Sequence, residues 1–481
     1  MSLSALADSV LFPGFAGTEP PGWVRRRVAD GLGGVVLFGR NCATAGQVAA
    51  LTAALRAERP DVLVATDEEG GDVTRLYAST GSPVPGSYAL GVVDDAELTR
   101  SVAGALAARV GSAGIGWVLG PVADVNSAPD NPVIGVRSFG ATPDLVSRQV
   151  VAAVAGTQDA GVAACVKHFP GHGDTTVDSH VGVPTVGPDL DGALAPFRAA
   201  VAAGVATVMT GHLLVPGFGS RPATVNPALI DGLLRRDLGF DGVVISDALE
   251  MGAIAGTVGL GEGAVLALLA GVDALCLGGD EAGEPVADTA RDALVAAVRG
   301  GRLPEDRLAE ASARIAKLAA RFPAGTARPA GGSGTVADAS RLDALGLEAA
   351  RRAVRVTGSV RVPAGAPVVV QLDPAPTIAV GYTRWGLAGL LPGATELRVG
   401  PGDPLPEPPA GRPLVIVARD ATRVGWVGRA VDGLLAARPD AVVVEMGLPG
   451  PVPPAAGWIA TGGASAAGAR AAAELLLGTT P

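Results

Sequence analysis

Short, nearly continuous apolar runs alternate with longer amphipathic stretches through residues 1–321. The runs Ser9–Phe12, Gly34–Phe38, Val62–Thr66, Gly116–Leu119, Ala163–Lys167, Thr207–Thr210, Val243–Ser246 and Ala274–Leu277 have the length and composition of buried strands. Between them, Thr44–Ala57, Asp95–Ser112, Pro143–Asp159, Asp191–Ala203, Pro227–Leu238, Gly261–Ala270 and Val286–Val298 read as helices. A strand without polar alternation is buried on both faces, as in a parallel sheet covered by helices. Eight such strands alternating with helices predict an α/β fold, a (β/α)8 barrel of the TIM kind. A doubly wound open sheet has the same alternation, but no Gly-x-Gly-x-x-Gly follows an early strand to support a dinucleotide site.

The rhythm breaks at Phe322, where a run rich in Pro, Gly and Ala predicts a linker over residues 322–339. Beyond it, Ser340–Val354 and Val427–Ala437 read as helices, and Val368–Leu372, Leu414–Ala418 and Val442–Met446 as strands. Residues 340–481 are therefore expected to form a second, smaller α/β domain with a mainly parallel sheet. They contain no histidine and no readable motif.

A barrel carries its chemistry at the carboxyl ends of its strands. The polar segments fall there. Asp67-Glu68-Glu69-Gly70-Gly71-Asp72-Val73-Thr74-Arg75 follows the third strand, and a long loop through Val133-Ile134-Gly135-Val136-Arg137-Ser138-Phe139 follows the fourth. Gly211-His212 follows the sixth and Asp247 the seventh. The fifth is followed by Lys167-His168-Phe169-Pro170-Gly171-His172-Gly173-Asp174-Thr175-Thr176-Val177-Asp178-Ser179-His180, which holds three of the four histidines. Its strand end presents Lys167 and His168, and its Pro- and Gly-broken loop carries Asp178 and His180. An Asp that accepts from one imidazole nitrogen orients the ring and raises its basicity, which suits acid–base work near neutral pH.

Blander readings stand beside these. Asp-x-His is a common pair, and Lys-His is often a solvated strand end. His172 and Asp174 are of metal-ligand type, but no Cys or Glu cluster completes a set, so no metal or other cofactor is expected. Asp247 is either a carboxylate in the barrel mouth or the N-cap of the next helix. Taken alone, Arg75 and Arg137 read as surface ion pairs. For His212 a satisfied core imidazole is the preferred reading.

Composition narrows the partners. The chain of 481 residues is 48% hydrophobic but only 4% aromatic, so its core is built from Ala, Val and Leu. The formal charge of −10 argues against nucleic acid or an anionic membrane surface. Cys42, Cys165 and Cys276 have no paired spacing and read as small buried hydrophobes in a reducing compartment. Met1–Phe15 lacks a signal-peptide pattern, and Ala264–Leu277 is too short and too broken to span a bilayer, so a cytoplasmic protein is expected. The sequence leaves the oligomeric state open.

The fourteen residues Lys167–His180, taken together, resemble the signature loop of the β-N-acetylglucosaminidases of glycoside hydrolase family 3. Gly239-Phe240-Asp241-Gly242 and Val243–Ala253 resemble that family's nucleophile segment, and the loops after strands three and four resemble its sugar-binding loops. The resemblance covers about residues 8–320 and implies roles. Asp247 is the nucleophile, with Glu250 as the reserve candidate. His180 is the general acid/base, oriented by Asp178. Asp67, Arg75, Arg137, Lys167 and His168 bind the sugar. The implied reaction is a two-step retaining hydrolysis that releases non-reducing terminal N-acetylglucosamine from muropeptide or chitin-type fragments. A neutral His in place of a second carboxylate also leaves phosphorolysis open. A β-glucosidase or phosphorylase on the same barrel, and a non-catalytic sugar-binding protein, are the alternatives.

Overall fold

The computed structural model describes residues 2–177, 182–279, 283–323, 339–362 and 366–479. Asp178, His180 and most of the expected linker (324–338) lie outside the described residues.

Eight short parallel strands form the first unit: β1 (Leu11–Pro13), β2 (Gly34–Leu37), β3 (Leu63–Thr66), β4 (Trp117–Val118), β5 (Ala163–Phe169), β6 (Thr207–Thr210), β7 (Val243–Ser246) and β8 (Leu275–Leu277). β2 to β7 pair in chain order, β1 pairs with β8, and a parallel bridge between Ile245 and Ala274 joins β7 to β8. The curled sheet is the expected α/β barrel. Every strand residue is buried, as the missing polar alternation requires. Among the described residues no ladder joins β1 to β2. Packing closes this seam: the Phe12 ring lies so close to Gly34 that a Cβ there would come within 2.5 Å of it. The same ring meets Trp117 edge to face at 5.4 Å across the core.

The helices match their expected positions within a few residues, and Pro143–Asp159 matches at both ends. The 228–237 segment is helical but wound as a π-helix, with Leu238 N–H bonding back to Leu233 O at 2.9 Å. Helices at Leu3–Asp8, Gly22–Asp30, Ser87–Val93 and Glu305–Arg321 were not anticipated. Glu305–Arg321 keeps its apolar positions to one stripe, burying Leu308, Ala311, Ile315 and Leu318.

The second sheet contains β9 (Arg355–Gly358), β10 (Val368–Leu372), β11 (Thr395–Val399), β12 (Leu414–Ala418), β13 (Val442–Glu445) and β14 (Gly457–Ala460). Its order is β11-β10-β12-β13-β14-β9, parallel except for β9 on the edge. The sequence reading found the three central strands and missed β9, β11 and β14. β9 is exposed throughout and β11 mostly so, so neither has an apolar run to read. Chain order reverses between β10 and β12, which makes their carboxyl ends the natural crevice of this sheet. The first unit fills that crest. Helix 339–353 packs on helices 87–93 and 96–112, and Gly346 approaches so closely that a Cβ would lie 1.9 Å from Pro83 O. Arg384 N–H bonds to Ala78 O at 2.7 Å and Ala466 N–H to Ser82 O at 2.9 Å.

Candidate active site

The loop after β3 turns tightly through Gly70 (φ 78°) and Gly71 (φ 60°), with Glu69 N–H bonding to Val73 O at 3.0 Å. A Cβ on Gly71 would stand 2.5 Å from Gly86 Cα, so this turn tolerates only glycine. Glu68 points inward and accepts from the N–H groups of Arg75 (2.9 Å) and Leu76 (3.0 Å). Burial pushes its carboxyl up to about 7 against those hydrogen bonds. The neighbours on either side point to the barrel mouth. Asp67 accepts from Lys167 Nζ at 2.7 Å and Arg75 Nη2 at 3.3 Å. Glu69 holds Arg137 in a two-pronged pair, 3.0 Å from Nε and 2.8 Å from Nη2, and lies 2.6 Å from Lys167 Nζ.

Three cations and two carboxylates thus form one network, buried except at Asp67, which is partly exposed to the cavity. For Asp67, Glu69, Arg137 and Lys167 burial works against the charge, but the opposite charges prevail. Glu69 falls to about 2, held by Arg137 and Lys167, and Asp67 is likewise lowered by Lys167 and Arg75. Lys167, 2% exposed, is raised by Asp67 and Glu69 despite its burial. Arg75 and Arg137 are both buried, so the surface-pair reading of these arginines fails.

β5 shifts register against β6 between Val166 and Phe169, and consecutive residues Lys167 and His168 both line the cavity. The peptide between them is cis. Behind His168 stands Asp124, fully buried, which the sequence reading did not single out. It accepts from His168 N–H (3.1 Å), His168 Nδ1 (2.7 Å) and His172 N–H (2.7 Å). A carboxylate only accepts, so Nδ1 carries the proton and Nε2 is left for a substrate group. Asp124 sits six residues past β4, too far from the strand end to be found by position alone.

His172 lines the same cavity, with its Nδ1 2.6 Å from Thr175 Oγ1 and its ring edge-on to His168 at 6.1 Å. Burial pushes it down to about 4, so it is uncharged at neutral pH. His212 is the satisfied core imidazole expected, buried between Thr224 Oγ1 (2.8 Å) and Ala248 O (2.9 Å).

Asp247 follows β7 directly and lines the cavity. The next helix starts only at Gly252, and Asp247 Oδ1 accepts from Ala248 N–H at 2.8 Å, so the N-cap reading fails. Glu250 accepts from Gly279 N–H, and burial pushes it up to about 7. The second unit also reaches the cavity, through half-exposed Ile378 and through Ala379. Arg75 donates to Val380 O at 2.6 Å and Ala379 O at 3.0 Å. No motif marked this loop, because backbone carbonyls leave no trace in side-chain pattern.

Asp67, Arg75, Arg137, Lys167, His168 and Asp247, six of the eight residues singled out from sequence, line one cavity that opens to solvent. Asp178 and His180 lie outside the described residues. Among the described residues no group of His, Cys, Asp and Glu forms a metal-binding set. Asp174 Oδ2 accepts from Gly187 N–H. The three cysteines are free and buried. No helix among the described residues is long and apolar enough to cross a membrane.

Residues 24–318 match the glycosyl hydrolase family 3 N-terminal domain. The chain belongs to glycosyl hydrolase family 3. It is a glycoside hydrolase, with the cavity at the barrel mouth as its candidate active site. It is 33% identical over 352 residues to Beta-hexosaminidase A of Pseudoalteromonas piscicida, covering 65% of this chain and 58% of that protein. It is 38% identical over 270 residues to a Beta-hexosaminidase of Thiobacillus denitrificans, covering 54% of this chain and 75% of that one. A solved family 3 β-N-acetylglucosaminidase from Paenibacillus sp. FPU-7 superposes with a TM-score of 0.86 at 32% identity, covering 100% of this chain and 97% of that chain. The likeness to that structure extends through both units of this family 3 chain.

Proposed function

We propose that this glycoside hydrolase is a retaining exo-β-N-acetylglucosaminidase. The reading rests on one observation above all: residues from four strand ends that the sequence singled out converge on one cavity, whose cations are clamped by buried carboxylates. The β-hexosaminidase relatives support the N-acetylhexosamine substrate.

In this reading the Asp67–Arg75–Lys167–Arg137 network and His168 engage the sugar hydroxyls. Asp247 attacks C1 while His180 gives a proton to the leaving oxygen, breaking the glycosidic bond and forming a glycosyl ester. His180, oriented by Asp178, then takes a proton from water, which attacks C1 and releases Asp247. The net configuration at C1 is retained. The natural substrates would be muropeptide or chitin-type fragments, acted on in the cytoplasm.

The test is turnover of a chromogenic N-acetyl-β-glucosaminide by wild type, Asp247→Ala and His180→Ala, with and without phosphate. Turnover by wild type, loss in Asp247→Ala, and a His180→Ala defect that shrinks with an activated leaving group are expected. A sugar 1-phosphate as main product would replace hydrolysis by phosphorolysis. An inert wild type on this substrate would overturn the reading.

A further inference from the structure

The loop that carries Asp67 and Arg75 touches the second unit at two points three residues apart. Arg75 is one, through the carbonyls of Ala379 and Val380. Asp72 is the other. Its carboxylate is buried, accepts from Ala464 N–H at 2.7 Å through Oδ1, and pairs with Arg419 Nη2 at 2.5 Å through Oδ2. Both partners stand at the carboxyl crest of the second sheet, Arg419 directly after β12 and Ala464 after β14.

These partners are themselves fixed. Glu445 accepts from the N–H groups of Asp420 (2.8 Å) and Ala421 (3.2 Å), which sets the backbone that carries Arg419. Gly463 (φ 137°) lies against Asp72, where a Cβ would come within 2.9 Å of Oδ1. On its own barrel the same loop is held at its start, where Asp67 and Glu69 pair with Lys167 and Arg137, at Gly71, whose N–H bonds to Val84 O at 3.1 Å, and beneath Arg75 and Leu76 by Glu68. The turn at Gly70 and Gly71 has no side chains of its own to pack.

We propose that Asp72 is a latch through which the second unit holds the sugar-binding loop, making it a positioning residue that acts on Arg75. The inference deepens the proposed function and rests on that reading for its effect on catalysis. A buried carboxylate bonded to a backbone N–H through one oxygen and ion-paired to Arg419 through the other ties the two bodies together at one point. It stands three residues before Arg75, so slackening it displaces that guanidinium. An interface that merely covered the barrel would be equally served by an apolar residue at position 72.

The test compares Asp72→Asn, which keeps an acceptor for Ala464 N–H but loses the charge pair, with Arg419→Met and Arg352→Ala in the full chain. Arg352 pairs with Asp95 across the same two units, away from the loop, at 2.8 Å. Asp72→Asn and Arg419→Met are each expected to raise KM about tenfold with kcat little changed. The double variant should be no worse than either alone, because both remove one interaction. Arg352→Ala should leave KM unchanged. Hydrogen exchange at the amides of residues 73–76 should quicken in Asp72→Asn and Arg419→Met only. Unchanged KM and unchanged exchange in both, or an equal KM rise in Arg352→Ala, would overturn the latch. If Asp72→Asn fails to fold, Arg419→Met decides alone. An inert wild type would sink the proposed function, and the exchange comparison would still decide the latch.

Discussion

Asp124→Asn isolates the group behind His168. The native carboxylate accepts three N–H bonds, two from backbone and one from the imidazole, and no part of it reaches solvent. Asn keeps one oxygen, enough for the two backbone N–H groups that share Oδ1. Its amide NH2 then faces His168 Nδ1 where a carboxylate oxygen stood. The imidazole must move its proton to Nε2 or leave a donor facing a donor. The lost charge-assisted bond is worth about 1.5–3 kcal/mol. If it all reaches the transition state, kcat/KM falls by roughly 10- to 150-fold. The fold should survive, because the backbone bonds remain. Asp124→Ala should be much worse, stranding three buried donors at about 1–3 kcal/mol each. Steady-state kinetics on the chromogenic glucosaminide, thermal melts of both variants, and the NMR tautomer signature of His168 make the measurement. The reasoning is refuted by Asp124→Asn turning over within a factor of two of wild type, or by Asp124→Ala melting with it.

Asp247→Ala should abolish turnover with little change in melting temperature, and exogenous azide should restore part of it as a glycosyl azide; retained activity would remove Asp247 as the nucleophile. Lys167→Met leaves Asp67 and Glu69 short of a shared cation in a buried site, at a cost of about 3–5 kcal/mol by thermal or urea unfolding. Glu69 has a depressed folded pKa, so its stabilisation is full above 4.5 and is lost as pH falls through about 2. Lys167→Met should therefore move acid unfolding to higher pH, and an unmoved acid midpoint would contradict the network. Glu68 behaves in the opposite sense. Its folded pKa is raised to about 7, so the stability it contributes is full below 4.5 and is lost as pH rises through about 7. Glu68→Gln should flatten that part of the melting profile between pH 5 and 8, and an unaltered slope would count against it.

The sequence by itself determined the barrel and most of what lines its mouth. Strands buried on both faces show as unbroken apolar runs, and Thr207–Thr210 and Val243–Ser246 match the observed strands at both ends. In a parallel barrel all strand carboxyl ends share one face, so a polar residue just past a strand is placed in space by its position in the chain. This is why Asp67, Lys167, His168 and Asp247 were legible. Arg75 and Arg137 were legible only through the family resemblance, since a lone arginine in a loop carries no address.

The tertiary structure alone decided what each of these groups leans on. Asp124 lies 44 residues from His168, and Glu69 lies 68 from Arg137. Such pairings are set by the curl of the sheet and have no local signature. The second unit shows the same limit. Its core strands β10, β12 and β13 declare themselves by hydrophobic burial, but β9 and β11 are exposed and carry no pattern. It lines the cavity with Ile378 and Ala379, and its polar contacts to the sugar-binding loop run through the carbonyls of Ala379 and Val380, the N–H of Ala464 and a single arginine. Every residue supplies a carbonyl and every residue but proline an N–H, so only the docking of one sheet's crest on the other's mouth gives these groups a function.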